Sequence, residues 1–285
     1  MRKQQIILLS TGLVLIVLIF FFGNTIPPKS ITPAAGMPGA MTSQEPALST
    51  QDVITAAKSK LPPEEQERIT SLENNVVRGD VVKQQIKQYN QLSSFWVDTM
   101  RNMPLGAYYK GEAAKLENSE ENLTFAARKL LSYVFVEQSQ PMQTWMATEA
   151  KGFFEEALKI NPANDSAKVG LGACYMFGNI SSNPMQEILK VREVAEKNPD
   201  NMYAQYILGL GDVKTGQYEN AVKRFSLVVA KQPLNLDAIF NLADTYDRIQ
   251  DKENAIKWYT VAQKMVQVPQ AKKEIGQRIE TLKNE

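Results

Sequence analysis

The sequence has 285 residues, and its 32 lysines and arginines against 31 aspartates and glutamates leave a formal net charge of +1. This balance lacks the local excess of basic residues that nucleic-acid binding requires. The chain contains no histidine and one cysteine, Cys174, which excludes histidine triads, histidine metal sites, thiolate metal sites and an intramolecular disulfide. We therefore expect no metal, cofactor, nucleic acid or small-molecule substrate, and we expect Cys174 to be a small buried side chain.

Residues 1–23 carry an apolar run over positions 6–22, preceded by Arg2 and Lys3. At about 1.5 Å per residue this run is long enough to cross the hydrocarbon core of a bilayer. No small-x-small cleavage site follows it, which favours an uncleaved transmembrane signal-anchor over the alternative of a cleaved signal peptide. Because the positive charges precede the run, we predict a single-pass inner-membrane protein with a cytoplasmic N-terminus and its remaining residues in the periplasm or outside the cell.

Residues 24–48 form a stretch rich in proline, glycine and alanine, which predicts a flexible linker. Helical signals begin at Ser49 or Thr50 and continue to the end of the chain. Residues 49–141 are predicted to hold divergent helical hairpins, with one pair of helices over 62–102 and another over 105–136.

A 34-residue pattern occurs twice between residues 202 and 262. A shift of 34 positions places Leu208 on Leu242, Phe225 on Tyr259, and the run 220–223 on the run 254–257. Residues 150, 154, 157 and 162 have the same spacing as residues 221, 225, 228 and 233. Small residues and aromatics that recur at this period predict stacked helical hairpins.

This pattern resembles the tetratricopeptide-repeat family and looks like its bacterial membrane-anchored members. The resemblance implies an all-α fold, a right-handed α-solenoid of helical hairpins over residues 142–267 closed by a C-terminal capping helix over 268–285. A spacing of 37 residues between Pro162 and Pro199 predicts an insertion in the turn 178–184. Gln205 and Ile239 stand where the family often has a large aromatic.

The resemblance also implies a concave groove, lined by the first helices of successive repeats, that takes up a peptide or helix of another protein. By register, the predicted groove residues are Val169, Ala173, Met176, Phe177, Tyr203, Tyr206, Leu210, Val213, Phe240, Asp244, Asp247 and Arg248. A subset of the family binds carboxylates there through lysine and asparagine, but the matching positions hold Val169, Ala173 and Ile207, so we do not expect that clamp.

These patterns favour a non-catalytic, membrane-anchored scaffold or adaptor that binds proteins at the cell envelope. The alternative is a periplasmic assembly factor or chaperone-like helper for exported proteins, as in cytochrome maturation. An enzyme would need a pair such as Asp244 and Asp247 as general acid and base, but a spacing of three on a solvated helix face more often indicates surface charge.

Overall fold

The computed structural model describes residues 48–78, 81–181 and 185–285, which contain thirteen α-helices and no strand. None of the helices in these ranges is long and apolar enough to cross a membrane. The predicted anchor, residues 1–23, lies outside the described residues, as does the predicted linker up to residue 47. The expectation of an all-α fold is confirmed for the part that the structure describes.

The helices follow one another with short connections. In chain order they are α1 (Thr50–Lys58), α2 (Pro63–Arg78), α3 (Val82–Ser94, continued by a π-helical turn over Phe95–Thr99), α4 (Met103–Glu117), α5 (Glu120–Val134), α6 (Gln140–Ile160), α7 (Asp165–Phe177), α8 (Met185–Lys197), α9 (Met202–Lys214), α10 (Tyr218–Lys231), α11 (Leu236–Arg248), α12 (Lys252–Met265) and α13 (Pro269–Asn284).

Equivalent asparagines begin successive hairpins. Asn164, Asn201 and Asn235 precede α7, α9 and α11, and the side-chain Oδ1 of each accepts a hydrogen bond from the backbone N–H three residues later, at 2.9, 3.0 and 3.0 Å. Such a cap satisfies one of the backbone donors that a helix N-terminus leaves free. Part of the turn for which an insertion is predicted, residues 182–184, lies outside the described residues.

The helices pair as consecutive antiparallel hairpins: α3 with α4, α5 with α6, α7 with α8, α9 with α10, and α11 with α12. The first helices α5, α7, α9 and α11 also contact one another in sequence. The predicted boundary between residues 141 and 142 therefore falls inside the hairpin of α5 and α6. The predicted pair over 105–136 corresponds to α4 and α5, which belong to neighbouring hairpins: α4 packs with α3, and α5 packs with α6. Similar helix breaks flank α5 on both sides, so the breaks alone do not show which neighbour is its partner.

Aromatic rings of the second helices pack on glycines. The fully buried rings of Phe154 and Phe225 lie so close to Gly170 and Gly209 that a Cβ added to either glycine would meet ring carbons at 2.1 and 2.7 Å. Each ring occupies the space that its glycine, which has no side chain, leaves open. The helix that carries the ring and the helix that carries the glycine therefore pack closely together. This close packing is the physical reason for the small and aromatic positions in the repeated pattern.

The predicted C-terminal capping helix is α13. Ile275, Ile279 and Leu282 are buried on its inner face, where it packs against α12, and its outer face carries charged residues, as a terminal element of an array requires. Cys174 is fully buried, as expected, and burial raises the pKa of its thiol.

The turns inside the last two hairpins share a left-handed residue at equivalent positions. Gly216 has a φ of 75°, and 34 residues later Gln250 has a φ of 63°. A residue with a Cβ is strained in this region, whereas glycine is not. A Cβ on Gly216 would meet no neighbouring atom within 4 Å, so a substitution there changes backbone strain and not packing.

We predict that substitutions at these two equivalent positions have opposite effects on stability. Gly216→Ala should lower the free energy of unfolding by about 1 kcal/mol, and Gln250→Gly should raise it by about 0.5 kcal/mol, since the relief of strain is partly offset by the entropy of glycine in the unfolded chain. Urea denaturation followed by circular dichroism measures both. A neutral Gly216→Ala would contradict the left-handed turn.

Candidate functional site: the inner groove

A groove of about 1050 Å³ lies along the first helices of the array. We call it the inner groove. It is lined by side chains from α5 and the turn after it, α7, α9, α11 and α13, among them Arg128, Leu131, Phe135, Val136, Phe177, Tyr203, Tyr206, Leu210, Val213, Lys214, Asp237, Phe240, Asn241, Glu274, Ile275 and Arg278.

Six of the predicted residues line this groove. They are Phe177, Tyr203, Tyr206, Leu210, Val213 and Phe240. The helical register therefore placed the four aromatic members of the predicted set and two of its aliphatic members, Leu210 and Val213, on one concave surface. Their role in binding a partner stays a prediction.

Three predicted residues on α7 do not line the inner groove. Val169 and Ala173 are fully buried in the core. Met176 is half-buried, and its carbonyl oxygen accepts a hydrogen bond from Lys214 Nζ at 2.7 Å. Here α7 packs closely between α5 and α9, so only its last turn, at Phe177, reaches the concave surface.

The predicted charged residues on α11 form ion pairs within the chain and are not part of the lining. Arg248 Nε donates to Asp244 Oδ2 at 2.8 Å on the same helix. Asp247 accepts two hydrogen bonds of 2.7 Å from Arg278 of α13. Each carboxylate is thus bonded to an arginine, and the pair of Asp244 and Arg248 lies on an exposed face of α11. The role of these three residues in binding a partner stays a prediction.

Two helices contribute lining residues that the sequence reasoning missed. Arg128, Leu131 and Phe135 come from α5 and its end, and Glu274 and Arg278 come from the capping helix. The spacing of the small residues, the aromatic and the proline had already identified α6 as a second helix. That signal implied that α5, the helix before it, is a first helix with one face on the groove.

Aromatic contacts hold the lining at the α5 side of the groove. The rings of Phe135 and Phe177 meet edge to face, with centroids 5.1 Å apart. The Lys214 ammonium lies 5.4 Å from the centroid of Phe177, and the Arg128 guanidinium lies 4.2 Å from the centroid of Tyr203. These contacts are favourable because the face of an aromatic ring attracts cations.

The middle of the groove is formed by Tyr206 and Phe240. The Tyr206 ring packs against Phe225 of the core with centroids 5.8 Å apart, and its hydroxyl accepts a hydrogen bond of 3.3 Å from Asn241 Nδ2. Burial, and then the nearby Asp237 carboxylate, raise the pKa of Tyr206, so its phenol stays neutral at physiological pH. Phe240 leaves 41% of its surface exposed, which gives a partner an accessible aromatic face.

The bidentate pair of Asp247 and Arg278 connects the capping helix to α11. The hydrogen bonds from Arg278 lower the pKa of Asp247 below its usual value. A carboxyl with a lowered folded-state pKa contributes stability above its unfolded pKa of about 3.9, and this contribution is lost as the pH falls through the folded value.

We therefore predict that Asp247→Asn destabilises the protein by about 1 kcal/mol at pH 6 and by less at pH 3, because the contribution decreases as the pH falls from the unfolded pKa towards the lowered folded-state pKa. The magnitude is small because the Arg278 side chain is 41% exposed and solvent screens the pair. Urea unfolding at the two pH values measures the difference. As a matched control, Asp244→Asn removes a carboxylate whose partner is on the same helix, and it should leave the attachment of α13 unchanged in hydrogen exchange.

In the described ranges no group of three histidine, cysteine, aspartate or glutamate side chains could hold a metal ion. The site is therefore a surface of aromatic and aliphatic side chains with charged residues at its margins. Such a surface suits recognition of another polypeptide through contact area and hydrogen bonds.

The stacked hairpins and their concave groove define the chain as an α-helical repeat protein. Residues 236–265, which cover α11 and α12, match the model of the tetratricopeptide repeat. Together with the 34-residue internal repetition, this match identifies α11 and α12 as a tetratricopeptide repeat and α9 and α10 as a second copy of the same pattern. Proteins of this family are generally non-catalytic scaffolds for protein–protein interaction.

Individual similar proteins are distant. Over 109 residues the chain is 28% identical to Superkiller protein 3 of Schizosaccharomyces pombe, which involves 38% of this chain but only 8% of that protein. Among solved structures, MamA from Desulfovibrio magneticus RS-1 is 19% identical with a TM-score of 0.38, covering 63% of this chain and 94% of that one.

The type IV pilus biogenesis factor PilW is 19% identical with a TM-score of 0.48, over 70% of this chain and 86% of that one. YrrB, a tetratricopeptide-repeat protein with an unusual peptide-binding site, is 19% identical with a TM-score of 0.38, over 67% and 91%. These scores are too low to align one groove with another, so the identification of tetratricopeptide repeats depends on the match over residues 236–265 and on the internal repetition.

Proposed function

We propose that this protein is a non-catalytic, membrane-anchored scaffold or adaptor at the cell envelope, and that it binds a segment of a partner protein in the inner groove. One observation carries the proposal: the first helices of successive hairpins present aromatic and aliphatic side chains together on one concave, accessible surface. A protein that used its array only as a spacer would gain nothing from such a surface.

The chemistry of the lining supports a polypeptide ligand. Tyrosine and phenylalanine provide large contact areas at a low cost in side-chain entropy, and the groove already holds them in place through Phe225, Tyr259 and Phe135. The most exposed apolar lining residues are Val136 at 74% and Phe240 at 41%. Apolar and aromatic surface of this kind suits an amphipathic helix or an extended segment.

Partner binding is tested by crosslinking the full chain in cells and identifying the crosslinked proteins by mass spectrometry. The double variant Tyr206→Ala and Phe240→Ala should lose the specific partners. Phe125→Ala removes an aromatic that is 53% exposed on α5 outside the lining, and it should retain them.

Tyr206 also packs on the core, so a second groove variant, Val136→Asp, is needed. Val136 is too exposed to affect folding, and a carboxylate there should weaken binding. If both groove variants retain every partner that the wild type and Phe125→Ala retain, the proposed function is wrong.

The anchor in this proposal rests on the apolar run at residues 6–22 and the charges before it. The full chain should sediment with membranes, resist extraction by high salt and alkaline carbonate, and dissolve in detergent. A chain that begins at residue 24 should be released into the soluble fraction of the compartment in which it is made. Release of the full chain by salt would contradict the anchor without affecting the groove.

A further inference from the structure

We infer that the inner groove selects a partner segment with an acidic residue at one end of an apolar stretch and a basic residue at the other. The inference rests on the proposed function, because it presumes that the groove binds a protein segment, and it specifies the chemistry of that segment. Its basis is the distribution of unneutralised charge along the lining.

The side of the groove formed by α5 and α9 is positive. Arg128 lies over the ring of Tyr203, and Lys214 donates to the carbonyl oxygen of Met176 at 2.7 Å and lies over Phe177. Neither cation forms an ion pair with a carboxylate of the described residues. Both cations are therefore positioned by neutral groups and retain their charge for a ligand.

The side formed by α11 and α13 is negative. Asp237 lies in the first turn of α11, and Glu274 of α13 accepts a hydrogen bond from the neutral Gln270 at 2.7 Å. Within the part of the chain that the structure describes, neither carboxylate forms an ion pair. The cation on this side, Arg278, is bonded to Asp247 through two hydrogen bonds of 2.7 Å, so it does not offset these acids.

Apolar side chains of α9 and α11 lie where the positive helices and the negative helices adjoin. Tyr206, Leu210 and Phe240 lie there, so a bound segment would place apolar side chains between its charged ends. A segment with two acidic ends would form favourable pairs on the α5 side and meet like charge on the α13 side. A segment with two basic ends would do the reverse. Only a segment whose two ends carry opposite charges complements both sides of the groove, and like-charge contact disfavours the other segments.

The test uses four synthetic peptides that share one apolar core of leucine and phenylalanine. Their ends are acidic and basic, both acidic, both basic, or both neutral. Binding to the full chain is measured by fluorescence anisotropy at low salt. Each exposed charge pair contributes up to about fivefold in affinity, so the peptide with opposite ends should bind about tenfold more tightly than either single-sign peptide. The difference should shrink at high salt, where charges are screened.

Reversal of the positive side provides the decisive variant. With Arg128→Glu and Lys214→Glu together, both sides of the groove are negative, and the peptide with two basic ends should become the tightest ligand. The control is Lys223→Glu, which makes the same change at an exposed lysine of α10 outside the lining. It should leave the order of the four peptides unchanged.

Four outcomes would overturn the inference. Equal affinity of all four peptides would show that apolar contacts alone determine binding, and absence of binding by all of them would reject charge selection as well. In either case the crosslinking of partners to the Tyr206 and Phe240 variants decides the proposed function independently. Tighter binding of a peptide with residues 28–46 of this chain, or self-association that the groove variants abolish, would assign the groove to the protein itself.

Discussion

Phe225→Ala is expected to lower the free energy of unfolding by about 4 kcal/mol, the usual cost of truncating a fully buried phenylalanine. The Phe225 ring has no exposed surface and fills the space next to Gly209, where an added Cβ would lie 2.7 Å from a ring carbon. It also supports Tyr206 from behind. The variant should therefore lose both stability and the fixed position of a groove residue.

Urea denaturation measures the loss of stability, and Phe125→Ala provides the matched control. That variant removes the same atoms from a ring that is 53% exposed on α5, so its effect should stay within about 0.5 kcal/mol. Because hairpins contact mainly their neighbours, unfolding of the Phe225 variant should begin around α9 and α10, which hydrogen exchange can localise. Equal losses for both variants would contradict the packing described for the hairpin.

Gly170→Ala is expected to cost about 3 kcal/mol, although alanine is the better helix former by about 1 kcal/mol. A Cβ at this position would lie 2.1 Å from Cζ of Phe154. The Phe154 ring is itself fully buried, so its displacement would require the surrounding core to repack. The steric effect therefore exceeds the gain in helix propensity.

A second glycine provides a control, for which we expect a glycine-to-alanine substitution to raise the free energy of unfolding. Gly152 lies on α6, the helix that carries Phe154, and a Cβ there would meet nothing within 4 Å, so Gly152→Ala should stabilise the protein by about 0.5 kcal/mol. Phe154→Leu combined with Gly170→Ala should cost less than the sum of the single changes, because the smaller side chain makes room for the added methyl group. Additive losses would show that the clash is relieved elsewhere.

The fold was predictable where the repeated pattern is regular. The spacing of Leu208, Phe225 and their equivalents specifies α9 to α12 because one hairpin repeats the packing of the other. The pairing of α5 with α6 was less accessible to sequence reasoning. Breaks of similar strength precede and follow α5, and only the spacing of the small residues, the aromatic and the proline in α6 indicated which neighbour is its partner.

The inner groove was predictable for its apolar lining and not for its charges. Helical register places Tyr203, Tyr206 and Phe240 on one face whatever their neighbours are. The state of a charged residue depends instead on what lies opposite it. Asp247 is neutralised by Arg278 of the capping helix, a contact between residues 31 positions apart that no local pattern indicates.

The contacts of polar residues buried inside the array are likewise not predictable from the local sequence. Gln205 stands where the family often has an aromatic, and it is buried. Its Oε1 accepts a hydrogen bond from Arg224 Nη1 at 2.7 Å, and Arg224 Nε donates to Asp212 at 2.9 Å. The departure from the family pattern is thus compensated by a network across two helices, whose members are recognisable only once the helices are paired.

The lining of the groove draws on helices from α5 to α13, so one ligand would touch segments separated by more than a hundred positions in the chain. An array held together by nearest-neighbour contacts tends to fray from its ends. A ligand bound along the groove would stabilise the attachment of the outer helices, because its affinity falls whenever an outer helix detaches. Occupancy should accordingly slow amide exchange most at the C-terminal helix and turn a gradual melting transition into a steeper one.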